Sequence, residues 1–330
     1  MKRLKLLSLA LLVLGVTGAT LLIGWYGLDP ILAAILSVGR GGFAAYCAWQ
    51  VATFAILGVA WYAIAPPGRK KLGHFIWGRM VRDAGASCLP FSQVGGFVMG
   101  ARAVRLCGVP TAIATISTAV DLTAEFVAEI LFLIIGLMIW LAKARDINLV
   151  TPIAAGLAAS VLAGVLAMKL QSRSAALLVK FGRRMIGQFF TSDEIADEEL
   201  AEMYRHTGRL ALGTFWHLIG WVAKGGGNWI AFQLLGAPVD LATALAIEAL
   251  LHAMLAAAFV VPGFAGVQEA GYAGLGQLFG IAPEISIAVS LLRRARDLAV
   301  GIPILLAWQF VEFKFLPRAA PENTPSCGLD

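Results

Sequence analysis

Asp121, Glu125 and Glu129 stand four residues apart inside the apolar run 112–141. At helical spacing they form one stripe. A second cluster, Arg293, Arg294, Arg296 and Asp297, sits in the apolar run 284–311, where Arg293 and Asp297 are four apart and can pair locally. A charge at a bilayer centre costs on the order of 2.5–3.5 kcal/mol on insertion scales, so residues kept there have work to do. Arginine suits planar, two-toothed contact with phosphate or carboxylate. Arg79, Arg82 and Asp83 add a third charged group, ahead of a break at Cys88-Leu89-Pro90; Arg102 and Arg105 follow it and read as interface anchors. Two compatible readings follow. The charges form an interhelical network that locks a bundle, or they line a polar cavity that contacts a lipid headgroup. The repeat described below turns the acidic stripe toward the arginine cluster.

The stretch VVPGFAGVQEAGY (Val260–Tyr272) places a proline, three glycines and the pair Gln268–Glu269 directly after an apolar run. Irregular backbone at membrane depth is tolerated where protein or a water-filled cavity covers it. Glu248 and His252 lie four apart but do not make the HExxH zinc pattern; they read as a hydrogen-bonded pair or a proton relay. Lys224-Gly-Gly-Gly-Asn228 lacks the order of a phosphate loop and reads as a helix break flanking a cavity. His217 beside Trp216 reads as a membrane-interface pair. The four cysteines, Cys47, Cys88, Cys107 and Cys327, have no metal or redox spacing. No nucleophile–base arrangement assembles, so the expectation is no catalytic residue, no metal and no cofactor.

The elements that hold these residues are set by composition. Of 330 residues, 59% are hydrophobic and 14% charged, with a mean hydropathy of +0.80. A soluble domain carries about a quarter charged residues. Runs at 6–28, 42–65, 112–141, 149–168, 208–235, 240–261 and 284–311 are apolar enough to span. The expectation is an all-α polytopic integral membrane protein, with about 7–8 transmembrane helices and two re-entrant broken-helix segments, 75–108 and 262–280. The net charge of +6 sits in short loops, not in a basic–aromatic module, which points away from nucleic acid. MKRLK, GRKKLGH (68–74) and the loop 169–207 belong on the cytoplasmic side, which puts the N-terminus there with the first span uncleaved. That loop pairs a basic, apolar half with an acidic half and could dock lipid-biosynthesis proteins. The tail 317–330 reads as disordered, leaving 1–316 as one membrane domain.

An internal repeat organises this domain. Pro90 maps onto Pro262 and Gly108 onto Gly280, both at an offset of 172; the same offset sets Asp121 over Arg293 and Glu125 over Asp297. The repeat halves run about 42–141 and 240–311. The positions of the basic residues point the two copies opposite ways, an inverted pair with discontinuous helices of the kind transporters use. Gly96 and Gly100, like Gly276 and Gly280, are spaced for close helix packing. On chemistry alone, Arg79, Arg82, Glu125, Gln268 and Arg296 are candidates to contact substrate.

VVPGFAGVQEAGY with SLLRRARDLAVGIP, together with LPFSQVGGFVMGAR and TAVDLTAEFVAE, resembles the flippase-type membrane domain of lysylphosphatidylglycerol synthases over about 1–316. Within that superfamily the likeness is greatest to hopanoid-biosynthesis-associated HpnL-type membrane proteins. The most specific parts are Pro262–Glu269 and Arg293–Asp297. The resemblance implies a bacterial inner-membrane protein, not an enzyme, that moves phospholipid or hopanoid between leaflets. It also implies that Pro90, Gln93, Gly95, Asp121, Pro262, Gly266, Glu269, Arg293 and Asp297 line or shape the path. A membrane scaffold for lipid biosynthesis, or an integral lipid-modifying enzyme, are the other readings of the same residues.

Overall fold

The computed structural model describes residues 29, 36–67, 71–88, 92–143, 202–258, 261 and 264–315. The expected spans 6–28 and 149–168, most of the loop 169–207, the tail, Pro90 and Pro262 lie outside them. The described residues form eight helices of twelve or more residues and no strand. They are α1 (Gly39–Ile64), α2 (Leu72–Cys88), α3 (Ser92–Leu106), α4 (Thr111–Lys143), α5 (Thr207–Leu234), α6 (Leu241–Ala257), α7 (Val267–Leu278) and α8 (Pro283–Phe315).

Length sorts them into two kinds. α1 and α5 have 26 and 28 residues, and α4 and α8 have 33 each. At about 1.5 Å per residue all four exceed the roughly 30 Å of a bilayer core. α1 and α4 are also apolar enough to cross a membrane. α2, α3, α6 and α7 have 17, 15, 17 and 12 residues and reach only about 18–26 Å. The run 240–261 therefore does not supply a full-length span: α6 ends at Ala257. Apolar counting carries a run onward regardless of whether the backbone has left the helix.

The 172-residue offset recurs in the helix bounds. Thr111 to Pro283 and Lys143 to Phe315 are each 172 apart, as is Leu106 to Leu278. Gly108 and Gly280 adopt φ +91° and +75°, a left-handed geometry that ends the short helix and that glycine adopts without strain. In both units a long helix follows this turn. Packing repeats too: α2 lies on α8, and α6 lies on α4. α2 and α3 pair closely as a hairpin, and α1 packs along α5.

Local signals fix the starts. Asp240 caps α6, its Oδ1 accepting from Thr243 N at 2.8 Å. Gly266 begins α7 at φ +76°, and its N–H donates to Glu269 Oε2 at 2.9 Å. A Cβ at Gly96 would stand 2.6 Å from Arg82 O, and one at Gly100 2.8 Å from Arg82 Cβ, so these glycines bring α3 onto α2. Gly276 likewise lies under Ser286, whereas Gly280 makes the turn.

The surface reverses that of a soluble protein. Leu298, Ile302, Leu306, Phe310 and Phe313 form one exposed stripe on α8, and Leu131, Ile134, Ile135 and Met138 another on α4. Arg79, Arg82, Asp121, Glu248, Glu269 and Arg296 are buried. Apolar stripes that face outward suit a hydrocarbon solvent.

Tight helix contacts make glycine substitution a test of this packing. A Cβ at Gly58 would stand 2.5 Å from Ile76 Cα, whereas one at Gly41 meets nothing within 4 Å. Gly58→Ala is expected to lower unfolding free energy by about 1–3 kcal/mol, read as an earlier transition in an SDS mixed-micelle titration. Gly41→Ala should leave the transition in place.

Candidate functional site

α2 carries Arg79, Arg82 and Asp83 at i, i+3 and i+4, one face of one turn. α4 presents Asp121 and Glu125 one turn apart. Arg79 grips Glu125 with both guanidinium nitrogens, Nη2–Oε1 at 2.5 Å and Nη1–Oε2 at 3.0 Å, and its Nε donates to Asp83 at 2.8 Å. Arg82 donates to Asp121 Oδ2 at 2.7 Å and to Glu125 Oε2. His217 Nε2 lies 2.8 Å from the other oxygen of Asp121. Asp121 is 0% exposed and Arg79 1%. His217 is equally sealed, so it is a partner of Asp121 and not an interface residue. The pattern Trp216–His217 was misleading because adjacent helical residues point to different faces.

The second unit repeats this with the signs exchanged. Arg293 on α8 donates to both oxygens of Glu248 on α6, at 2.8 and 2.7 Å, and to Tyr272 on α7 at 3.1 Å. Tyr272 donates to Asn228 Oδ1 at 3.1 Å. His252 Nδ1 is hydrogen-bonded to the backbone carbonyl of Glu248 at 3.0 Å and stands 3.3 Å from its Oε1, so the two residues four apart do meet. Arg296 reaches Tyr46 OH at 2.9 Å and Asp297 at 2.7 Å; Arg293 does not take Asp297. Arg294 Nε donates to Glu269 Oε1 at 2.5 Å. Gln268 donates to Ser290 Oγ at 2.9 Å.

The acidic stripe therefore meets the arginines of α2, not the cluster on α8. The repeat explains this. Asp121 and Arg293 occupy equivalent places, and each pairs with the short helix of its own unit rather than across to the other.

Between the units lies a cavity of about 430 Å³. Its wall includes Arg79, Arg82, Glu125, Gln268, Arg293, Arg296 and Asp297, all singled out by their chemistry. Asp121 and Glu269 stand behind it, holding Arg82 and Arg294. Gly266 caps α7 instead of lining the cavity, and Gln93 lies in the first turn of α3. Gly95 is outside the wall as well; a Cβ there would meet nothing within 4 Å. Its selection rested on the family resemblance, and a glycine shared by pattern can fix backbone without lining a cavity. Sequence reasoning did not select Lys224, Glu129, Glu248, His252 or Trp221 as substrate contacts, yet all line the cavity.

Lys224–Asn228 is not a break. α5 runs unbroken from Thr207 to Leu234. Its glycines serve contact: a Cβ at Gly225 would stand 2.4 Å from Leu245 Cδ2, and one at Gly226 3.0 Å from Trp49. Among the described residues no three His, Cys, Asp or Glu side chains gather as a metal cage.

The sequence model of the lysylphosphatidylglycerol synthase TM region matches residues 7–304. The chain belongs to this family. Comparisons with curated proteins and with solved structures each return no match. Membership in the lysylphosphatidylglycerol synthase TM-region family makes this a membrane protein of lipid metabolism or transport, and the apolar outer stripes agree.

A buried pair broken on one side leaves an uncompensated charge, which costs about 3–5 kcal/mol. Glu248→Ala strands Arg293 and is expected to destabilise by that order. The double variant Glu248→Leu, Arg293→Met removes both charges and should recover at least half of the loss. The check is unfolding midpoints of both variants in mixed micelles.

Proposed function

We propose that this protein is a lipid flippase or flippase-like transporter of a bacterial inner membrane, its N-terminus cytoplasmic, moving phospholipid or hopanoid between leaflets. The observation that carries the reading is the charged cavity between two units whose outer faces are apolar. A polar headgroup taken into hydrocarbon without hydrogen-bond partners costs about 2–7 kcal/mol. A cavity walled by guanidinium, carboxylate, amide and indole groups replaces those partners, while the acyl chains stay in the bilayer beside the apolar stripes.

The short helices give the moving parts. α2–α3 and α6–α7 are too short to span and act as two re-entrant hairpins of an inverted repeat, one entering from each side. Each is tied to a long helix by buried ion pairs, Arg79 and Arg82 to α4 in one unit, Glu248 to α8 in the other. Rocking one unit against the other would open the cavity to each leaflet in turn. This reading is transport rather than catalysis: four of the five carboxylates in the cavity wall, Asp83, Glu125, Glu248 and Asp297, are each held by an arginine, which leaves them poor general bases.

Purified protein in liposomes with a fluorescent-headgroup phospholipid should raise the fraction reached by a membrane-impermeant quencher above the outer-leaflet share. A hopanoid probe is run in parallel. Glu269→Gln and Arg293→Ala should each slow this at least about tenfold, the equivalent of one charge-assisted hydrogen bond. Both variants are first checked for monodispersity and helix content. Wild-type rates in both folded variants, or no gain over empty liposomes with either probe, would overturn the reading.

A further inference from the structure

The charged wall of the cavity divides into residues that are paired and two that are not. Arg79, Arg82, Arg293, Arg294 and Arg296 all hold carboxylates. Glu129 on α4 and Lys224 on α5 also line the cavity, yet neither side chain makes a hydrogen bond or an ion pair within 4.0 Å with any described residue, including each other. Both residues are partly exposed where they line the cavity. Lys224 Nζ rests 3.8 Å from the centroid of the Trp221 ring, a cation–π contact that leaves its three N–H donors unspent. Trp221 Nε1 has no partner either.

We infer that Glu129 and Lys224 recognise the headgroup of a zwitterionic phospholipid that ends in a primary ammonium. This rests on the lipid-transport reading and names its substrate class. Lys224 takes the phosphodiester oxygens and Glu129 takes the ammonium. One unpaired amine and one unpaired carboxyl group match a ligand that carries both charges and is neutral overall. An anionic lipid would meet Lys224 but be opposed by Glu129. A quaternary ammonium has no N–H to give the carboxylate. The choice of residue fits turnover. The fixed pairs of the wall use arginine, whose planar fork holds carboxylates in two-toothed pairs; the free cation is lysine, a compact, strongly hydrated charge that lets go readily.

The test separates binding from transport. Delipidated protein is exchanged into nanodiscs of equal parts phosphatidylethanolamine, phosphatidylcholine and phosphatidylglycerol, and retained lipid is counted by native mass spectrometry. Wild type is expected to enrich phosphatidylethanolamine over the other two by about tenfold, one charge-assisted contact. Glu129→Gln, which keeps the shape, should abolish the preference over phosphatidylglycerol, and Lys224→Gln should lower retention of all three. The exchange Glu129→Lys with Lys224→Glu should restore part of the ethanolamine preference. Soluble glycerophosphoethanolamine should compete if the headgroup alone is read; competition by inorganic phosphate alone, with no lipid preference, would show a simple anion site and overturn the inference. An unchanged preference in folded Glu129→Gln and Lys224→Gln would also overturn it. Enrichment without any leaflet transfer would sink the flippase reading and leave this site standing; transfer without preference would do the reverse.

Discussion

A charge in hydrocarbon must find its counter-charge inside the protein, and this constraint arranges everything else in the molecule. Asp121 is sealed from solvent and is held by Arg82 and His217. Arg79 is nearly as buried and forks onto Glu125. These contacts join α2 to α4 and α5 at fixed height and rotation. In water such pairs would contribute little. Here the alternative is an unpaired ion at low dielectric, so the pairs act as registration points for the bundle.

The same constraint explains how one plan appears twice with its charges exchanged. Pairing depends on opposite sign and not on which partner carries which sign. The first unit puts carboxylates on the long helix and arginines on the short one; the second puts Arg293 on the long helix and Glu248 on the short one. Backbone features must stay in step instead. The left-handed turns at Gly108 and Gly280, and the equal lengths of α4 and α8, have no such freedom.

Close approach of helices then decides what reaches the cavity. The glycines of α5 let Trp49 and Leu245 press against it. The cavity lies between the units, with the charges facing inward and leucine, isoleucine and phenylalanine facing outward.

Much of this was legible in the sequence. The hydropathy required a helical membrane protein, the landmarks at offset 172 required two copies of one plan, and the four-residue spacing of Asp121, Glu125 and Glu129 required one charged face. Those are local properties: hydrophobic length, backbone geometry at glycine and helical period. Pairing is not local. Arg79 to Glu125, His217 to Asp121 and Glu248 to Arg293 join residues 46, 96 and 45 positions apart, and spacing carries no record of which faces meet. Equivalence in the repeat even misdirected the acidic stripe toward Arg293, because symmetry relates positions without bringing them together. Lys224 in a glycine run looked like a helix break; the neighbours that fill those glycines pack it as a continuous helix with an unpaired amine at the cavity. The sequence by itself determined the elements and their polarity, and the tertiary structure decided which charges are spent on one another and which remain.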